Sequence, residues 1–83
     1  MIFDYLTYQL SKARYELIEG GKRYYGEIPG VQGVWAAGKT LEECRHNLLE
    51  VLEGWLVLRL KKNLAIPDLK QFLGRKLRET LNV

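Results

Sequence analysis

Residues 23–44, RYYGEIPGVQGVWAAGKTLEEC, run from a strand through a Pro-Gly break into a second strand and then into a strongly marked helix start. In the first strand Tyr24, Gly26 and Ile28 point one way while Arg23, Tyr25 and Glu27 point the other. Pro29 and Gly30 stop the pairing and redirect the chain. A strand over VQGVWAAG, residues 31–38, follows, with Trp35 set among small residues that let a helix sit close. Thr40 is placed to cap that helix, and Glu43, three residues on, to reach back to the N–H of the cap. Leu41, Cys44, Leu48, Leu52 and Trp55 recur at helical spacing as the stripe that lies on the sheet, widened by Leu49, Leu56 and Leu60. Arg59, Lys61 and Lys62 suit the negative end of the helix, and Asn63 suits its termination.

Upstream, ARYELIEGGKRYYGEI, residues 13–28, has the form of a hairpin turning on Gly20-Gly21 as a two-residue loop. Residues 2–13 place Ile2, Phe3, Leu6, Leu10 and Ala13 on one side of a short helix, with Asp4, Gln9 and Lys12 elsewhere. Downstream, DLKQFLGRKLRETL, residues 68–81, offers Leu69, Phe72, Leu73 and Leu77 to a shorter second helix interrupted by Gly74, with a closing strand in the last residues as the alternative. The expected fold is therefore α+β. It has a three-stranded antiparallel sheet, or four-stranded if the chain end closes it, with a long helix on one face and short terminal helices. One domain spans residues 1–83, with its core at about 13–67, an N-terminal helix at 2–12 and a basic tail at 68–83.

With 83 residues, a single domain buries roughly 60–65% of its unfolded surface, which leaves little room for a large internal cavity. Yet 47% of the chain is apolar, including two Trp, five Tyr and two Phe, and a second chain is the natural cover for the surplus. Cys44 is the sole cysteine, so neither an internal disulfide nor a thiolate metal cluster is expected. The start, MIFDYLTYQL, lacks the basic region and cleavage site of a signal peptide, and WLVLRL is too short to span a bilayer. A cytoplasmic protein without membrane contact is expected. The net charge of +3 is concentrated late, with Arg59, Lys61, Lys62, Lys70, Arg75, Lys76 and Arg78 set against Asp68 and Glu79. That arrangement answers a helix dipole and a solvated tail more simply than it answers nucleic acid.

Reactive constellations are thin. His46, beside Arg45 and Asn47, lies off the apolar stripe without a positioned partner for acid–base work. Cys44 lies on that stripe and reads as a small buried hydrophobe rather than a nucleophile. Glu16, Glu19 and Glu27 sit on the hairpin; Glu16 facing Glu27 across the ladder would be too little for a two-metal site. The pattern Gly33-x-x-x-x-Gly38-Lys39-Thr40 formally matches a phosphate-binding loop between a strand and a helix. Its VWAA interior lacks the small flexible residues of a phosphate cradle, and one crossover helix is too little protein for a nucleotide domain. KRYYGE interleaves cations and aromatics as a single-strand stacking platform would, but Tyr24 and Tyr25 face opposite sides of the sheet.

Taken together, Ile28-Pro29-Gly30, Gly38-x-Thr40-x-Glu42-Glu43, Trp55-Leu56 and Ile66-Pro67, in this order, give the stretch from about Ala13 to Pro67 a specific pattern. It resembles the HicB-like antitoxin family. The resemblance implies a partial ribonuclease H-like fold that has lost nuclease chemistry and that neutralises a small HicA-type ribonuclease toxin in a type II toxin–antitoxin system. It implies no catalytic, cofactor or metal residues. Cys44 stands where the family usually has Ala, and the first dozen residues look like an added helix. The chain ends at Val83, which leaves no room for the DNA-binding domain that many of these antitoxins carry, so autorepression is not expected. Partner contact is expected at Tyr25, Glu27 and Trp35, with Glu27 offering an acidic group to a basic partner. Tyr25 and Trp35 would lie on the sheet face away from the long helix, open to the N-terminal helix, a second copy or the toxin. The alternatives are a stand-alone homo-oligomeric domain, and a nucleic-acid-binding module resting on Arg75, Lys76 and Arg78.

Overall fold

The helix that Thr40 caps is the organising element. In the computed structural model, which describes residues 2–81, it is α2, Leu41–Lys61. Before it come α1 (Ile2–Leu10), β1 (Arg14–Ile18), β2 (Arg23–Glu27) and β3 (Trp35–Gly38), and after it α3 (Leu69–Leu81). The strands form one antiparallel sheet in the order β1-β2-β3. The expected α+β architecture, a three-stranded antiparallel sheet with the long helix on one face, is what forms.

At the start of α2 the Thr40 hydroxyl accepts the Glu43 N–H at 3.0 Å. The Glu43 carboxylate reaches past the cap to the Lys39 N–H at 3.4 Å, so the reciprocal bond of the capping box falls one residue earlier than expected. At the other end Asn63 turns left-handed, with φ of 54°, and the N–H groups of Asn63 and Leu64 return to the carbonyls of Leu60 and Arg59. This is a Schellman stop built on asparagine. Arg59 reinforces it by donating to Ala65 O at 2.7 Å while its guanidinium lies 5.0 Å from the Trp55 ring centre.

The buried face of α2 is Cys44, Leu48, Leu52 and Leu56, one per turn. Burying a leucine of this kind contributes about 1.5–3 kcal/mol. Leu41 and Leu60, expected on the stripe, are exposed at the two ends of the helix. β3 is shorter than the expected 31–38: residues 31–34 form a loop that turns Val31 and Val34 into the core. The hairpin loop is wider than two residues. Glu19, Gly20 and Gly21 all take positive φ, and pairing ends at Ile18 opposite Arg23.

α1 forms as expected but buries another face. Tyr5, Leu6 and Gln9 go inward, while Ile2 and Phe3 are exposed. Polar anchoring explains the rotation. Tyr5 Oη donates to Pro67 O at 2.8 Å; Gln9 Nε2 donates to Tyr5 Oη at 3.1 Å and to the Asp68 carboxylate at 3.2 Å; Lys12 closes the set as an ion pair with Asp68. The C-terminal segment is helical over residues 69–81, so no closing strand forms among the described residues; residues 82–83 of that expectation lie outside them. Phe72 docks α3, edge-on to Tyr5 at 5.6 Å and tilted against Tyr8 at 5.7 Å. Leu69, Leu73 and Leu77 remain exposed. The hydrophobic core also draws on Tyr5 and Leu6 from α1 and Phe72 from α3. The shape is flat, 47 × 32 × 17 Å.

Candidate partner-binding face

Strand alternation sorts the sheet into two faces. Tyr15, Gly26, Ala36 and Gly38 turn toward α2, and two of these positions are set by clearance. A Cβ on Gly26 would stand 2.8 Å from the Tyr15 ring, and one on Gly38 would stand 2.6 Å from the Cys44 backbone nitrogen. Gly38 is thus the point where strand and helix touch. Within the Gly33–Gly38–Lys39–Thr40 pattern, Gly38 thus serves packing and Thr40 caps the helix, while Gly33 takes a positive φ of 82° in the loop.

The opposite face carries Arg14 and Glu16 from β1, Tyr25 and Glu27 from β2, and Trp35 and Ala37 from β3. Arg14 is paired with Glu27, Glu16 with Tyr25, Glu27 with Trp35 and Tyr25 with Ala37. Glu16 and Glu27 are consequently diagonal neighbours, where the sequence had suggested that they face each other. The rings of Tyr25 and Trp35 stack with centres 6.0 Å apart and planes 28° apart, and Trp35 is 56% exposed. None of the described helices covers this pair. The Tyr25 phenol is pushed up from its ordinary pKa by partial burial and then by the neighbouring Glu27 and Glu16 carboxylates. It stays a neutral hydrogen-bonding group at physiological pH. Between this stack and loop 28–34 runs a groove of about 350 Å³, bordered by Arg14, Tyr25, Glu27 and Trp35.

The three residues expected to meet a partner, Tyr25, Glu27 and Trp35, are therefore brought together. Arg14 extends the set and was missed; its parity with Glu16 along the strand was the available signal. Arg75, Lys76 and Arg78 lie on α3, remote in sequence from this face. Two of them are engaged by carboxylates, Arg75 with Glu79 at 3.3 Å and Lys76 with Asp4 at 3.0 Å, and Lys76 holds the Asp4 carboxyl below its usual pKa.

His46 is exposed and pairs with Glu50 at 2.9 Å. Cys44 is fully buried and burial pushes its thiol pKa up, the reverse of what a nucleophilic thiolate needs. Among the described residues, no three His, Cys, Asp or Glu side chains gather where they could hold a metal ion, and no helix is long and apolar enough to cross a membrane.

Residues 4–67 match the model of the UPF0150-like family. The chain belongs to the UPF0150-like family. The match takes in most of α1, against the expectation of an added N-terminal helix, and stops before α3. A UPF0150 protein of Thermotoga maritima is 56% identical over 32 residues, a segment covering 39% of this chain and 43% of that relative's length. The crystal structure of TTHA0281 from Thermus thermophilus superposes with a TM-score of 0.74 at 47% identity, over 80% of this chain and 87% of that one. The two chains share the same fold over that span.

Proposed function

We propose that this UPF0150-like protein is a non-catalytic, cytoplasmic antitoxin of the HicB-like kind that binds and neutralises a small HicA-type ribonuclease toxin. The observation that carries the reading is the uncovered sheet face, where Tyr25 and Trp35 stack beside Glu27 and Glu16. Exposed aromatic pairs anchor protein interfaces through large area at low entropic cost, and flanking carboxylates complement a basic RNA-cleaving partner. The family membership supports it, because the motifs that resemble HicB-like antitoxins fall within the matched span 4–67. The scaffold itself, a sheet backed on one face by a long helix and uncovered by the described helices at the Tyr25–Trp35 stack, supports it as well.

The test is a pull-down of the tagged chain from its native cells with intact-mass detection of small co-purifying proteins. The expected result is a stoichiometric basic partner whose RNA cleavage stops when this chain is added. Tyr25→Ala and Trp35→Ala should each weaken that inhibition at least about tenfold, the usual scale of an aromatic hot spot, while leaving the fold intact. Recovery of the chain alone, or a partner insensitive to both substitutions, would remove the basis for this reading.

A further inference from the structure

An open three-stranded sheet has two margins, and here they differ. At β3 the strand is packed against α2, and the Asn47 amide of that helix donates to Ala37 O at 2.9 Å. Among the described residues, the only hydrogen-bonded strand neighbour of β1 is β2, and Leu17, on the α2 side of the sheet, is 57% exposed. A bare strand margin is a template for another strand.

We propose that β1 pairs antiparallel with β1 of a second copy, about a two-fold axis at Tyr15, to give a continuous six-stranded sheet. The register follows from parity. A two-fold axis perpendicular to the sheet keeps each residue on its own face, so the axis must pass at a residue that opposes itself. An axis at Arg14 sets arginine against arginine, and one at Glu16 sets glutamate against glutamate. An axis at Leu17 places Glu16 opposite Ile18 and Tyr15 opposite Glu19. Only the axis at Tyr15 places Arg14 opposite Glu16, twice by symmetry, with Leu17 opposite Ala13 and the two Tyr15 side chains adjacent. Opposite charges facing across strands are favourable and like charges are not, so the strand RYELI selects one of its own registers.

The pairing does not depend on the toxin reading, yet it alters the surface on which that reading rests. Arg14 borders the groove beside Tyr25 and Glu27, and Glu16 of the second copy would become its neighbour. Because the axis preserves faces, both Tyr25–Trp35 stacks would look out on the same side.

Sedimentation equilibrium of the full chain tests this without any partner. The expected mass is twice the chain's 9.7 kDa. Glu16→Arg and Arg14→Glu, each creating like charges at the proposed register, should weaken the dimer about tenfold or more, and the combined Arg14→Glu/Glu16→Arg exchange should restore it. Both sites are exposed, and unchanged circular dichroism would verify that the variants fold. A monomeric wild type, a dimer indifferent to both single changes, or failure of the exchange to restore association would each overturn the proposal.

Discussion

Replacing Gly38 by Ala tests the contact on which the scaffold depends. The new methyl would lie 2.6 Å from Cys44 N and 3.0 Å from Cys44 Cα and Glu43 C, all backbone atoms of the first turn of α2. No side-chain rotation relieves a clash with backbone. The helix must lift from β3 at the end where Cys44, itself fully buried, enters the core. Overpacking of this type costs about 1–3 kcal/mol, which for a domain of this size lowers Tm by roughly 4–8 °C per kcal/mol. Gly54→Ala is the internal control. Gly54 lies mid-helix in α2, exposed, with nothing within 4 Å of an added Cβ, so alanine should stabilise by about 0.5–1 kcal/mol through helix propensity alone. Thermal and urea denaturation of the two variants beside wild type should move in opposite directions. A Gly38→Ala protein as stable as wild type would refute the argument that close approach selects glycine there, and would reopen the phosphate-loop reading of Gly33–Thr40.

Thr40→Ala removes the acceptor for the Glu43 N–H and should cost about 1 kcal/mol, read as a lowered urea midpoint with an unchanged m-value. Phe72→Ala withdraws the buried side chain that docks α3, so limited proteolysis should cut within residues 69–81 at least about tenfold faster while cleavage in α2 is unaffected. Asp68 has its carboxyl held below the usual range by hydrogen bonds from Lys12 and Gln9. Its contribution is therefore fully present above the unfolded pKa of about 3.9 and is lost as pH falls through the lower folded value. Asp68→Asn should destabilise at neutral pH, and the Tm gap to wild type should narrow below about pH 4; a constant gap down to about pH 2 would contradict the assignment.

What was readable in the chain depended on whether a short-range signal decided it. The Thr40 cap, the Cys44–Leu48–Leu52 repeat and the parity that puts Tyr25, Glu27 and Trp35 on one face are local rules, and the structure follows them. The orientation of α1 is not local. Ile2 and Phe3 lost the inward face to Tyr5 and Gln9 because those two reach Pro67 and Asp68, more than fifty residues away, and no window of sequence displays that pairing. Strand ends slipped for a related reason. Glu19 adopting positive φ widened the hairpin, and burial of Val31 and Val34 bent into a loop what alternation alone extends as strand. On the candidate face, Tyr25 and Trp35 were legible from parity; parity with Glu16 put Arg14 on the same face, but its place beside Glu27 depended on the strand register.

The seam between β3 and α2 contains the chain's sole thiol. Cys44 has no exposed surface, its Sγ rests 3.7 Å from Ala36 O, and burial keeps it protonated. A thiol-modifying reagent can reach it only when the helix parts from the sheet. The labelling rate under native conditions is thus an intrinsic clock for that opening, one that needs no introduced probe. Because the same seam backs the Tyr25–Trp35 face, a ligand seated there should slow the clock in proportion to how tightly it holds the sheet closed.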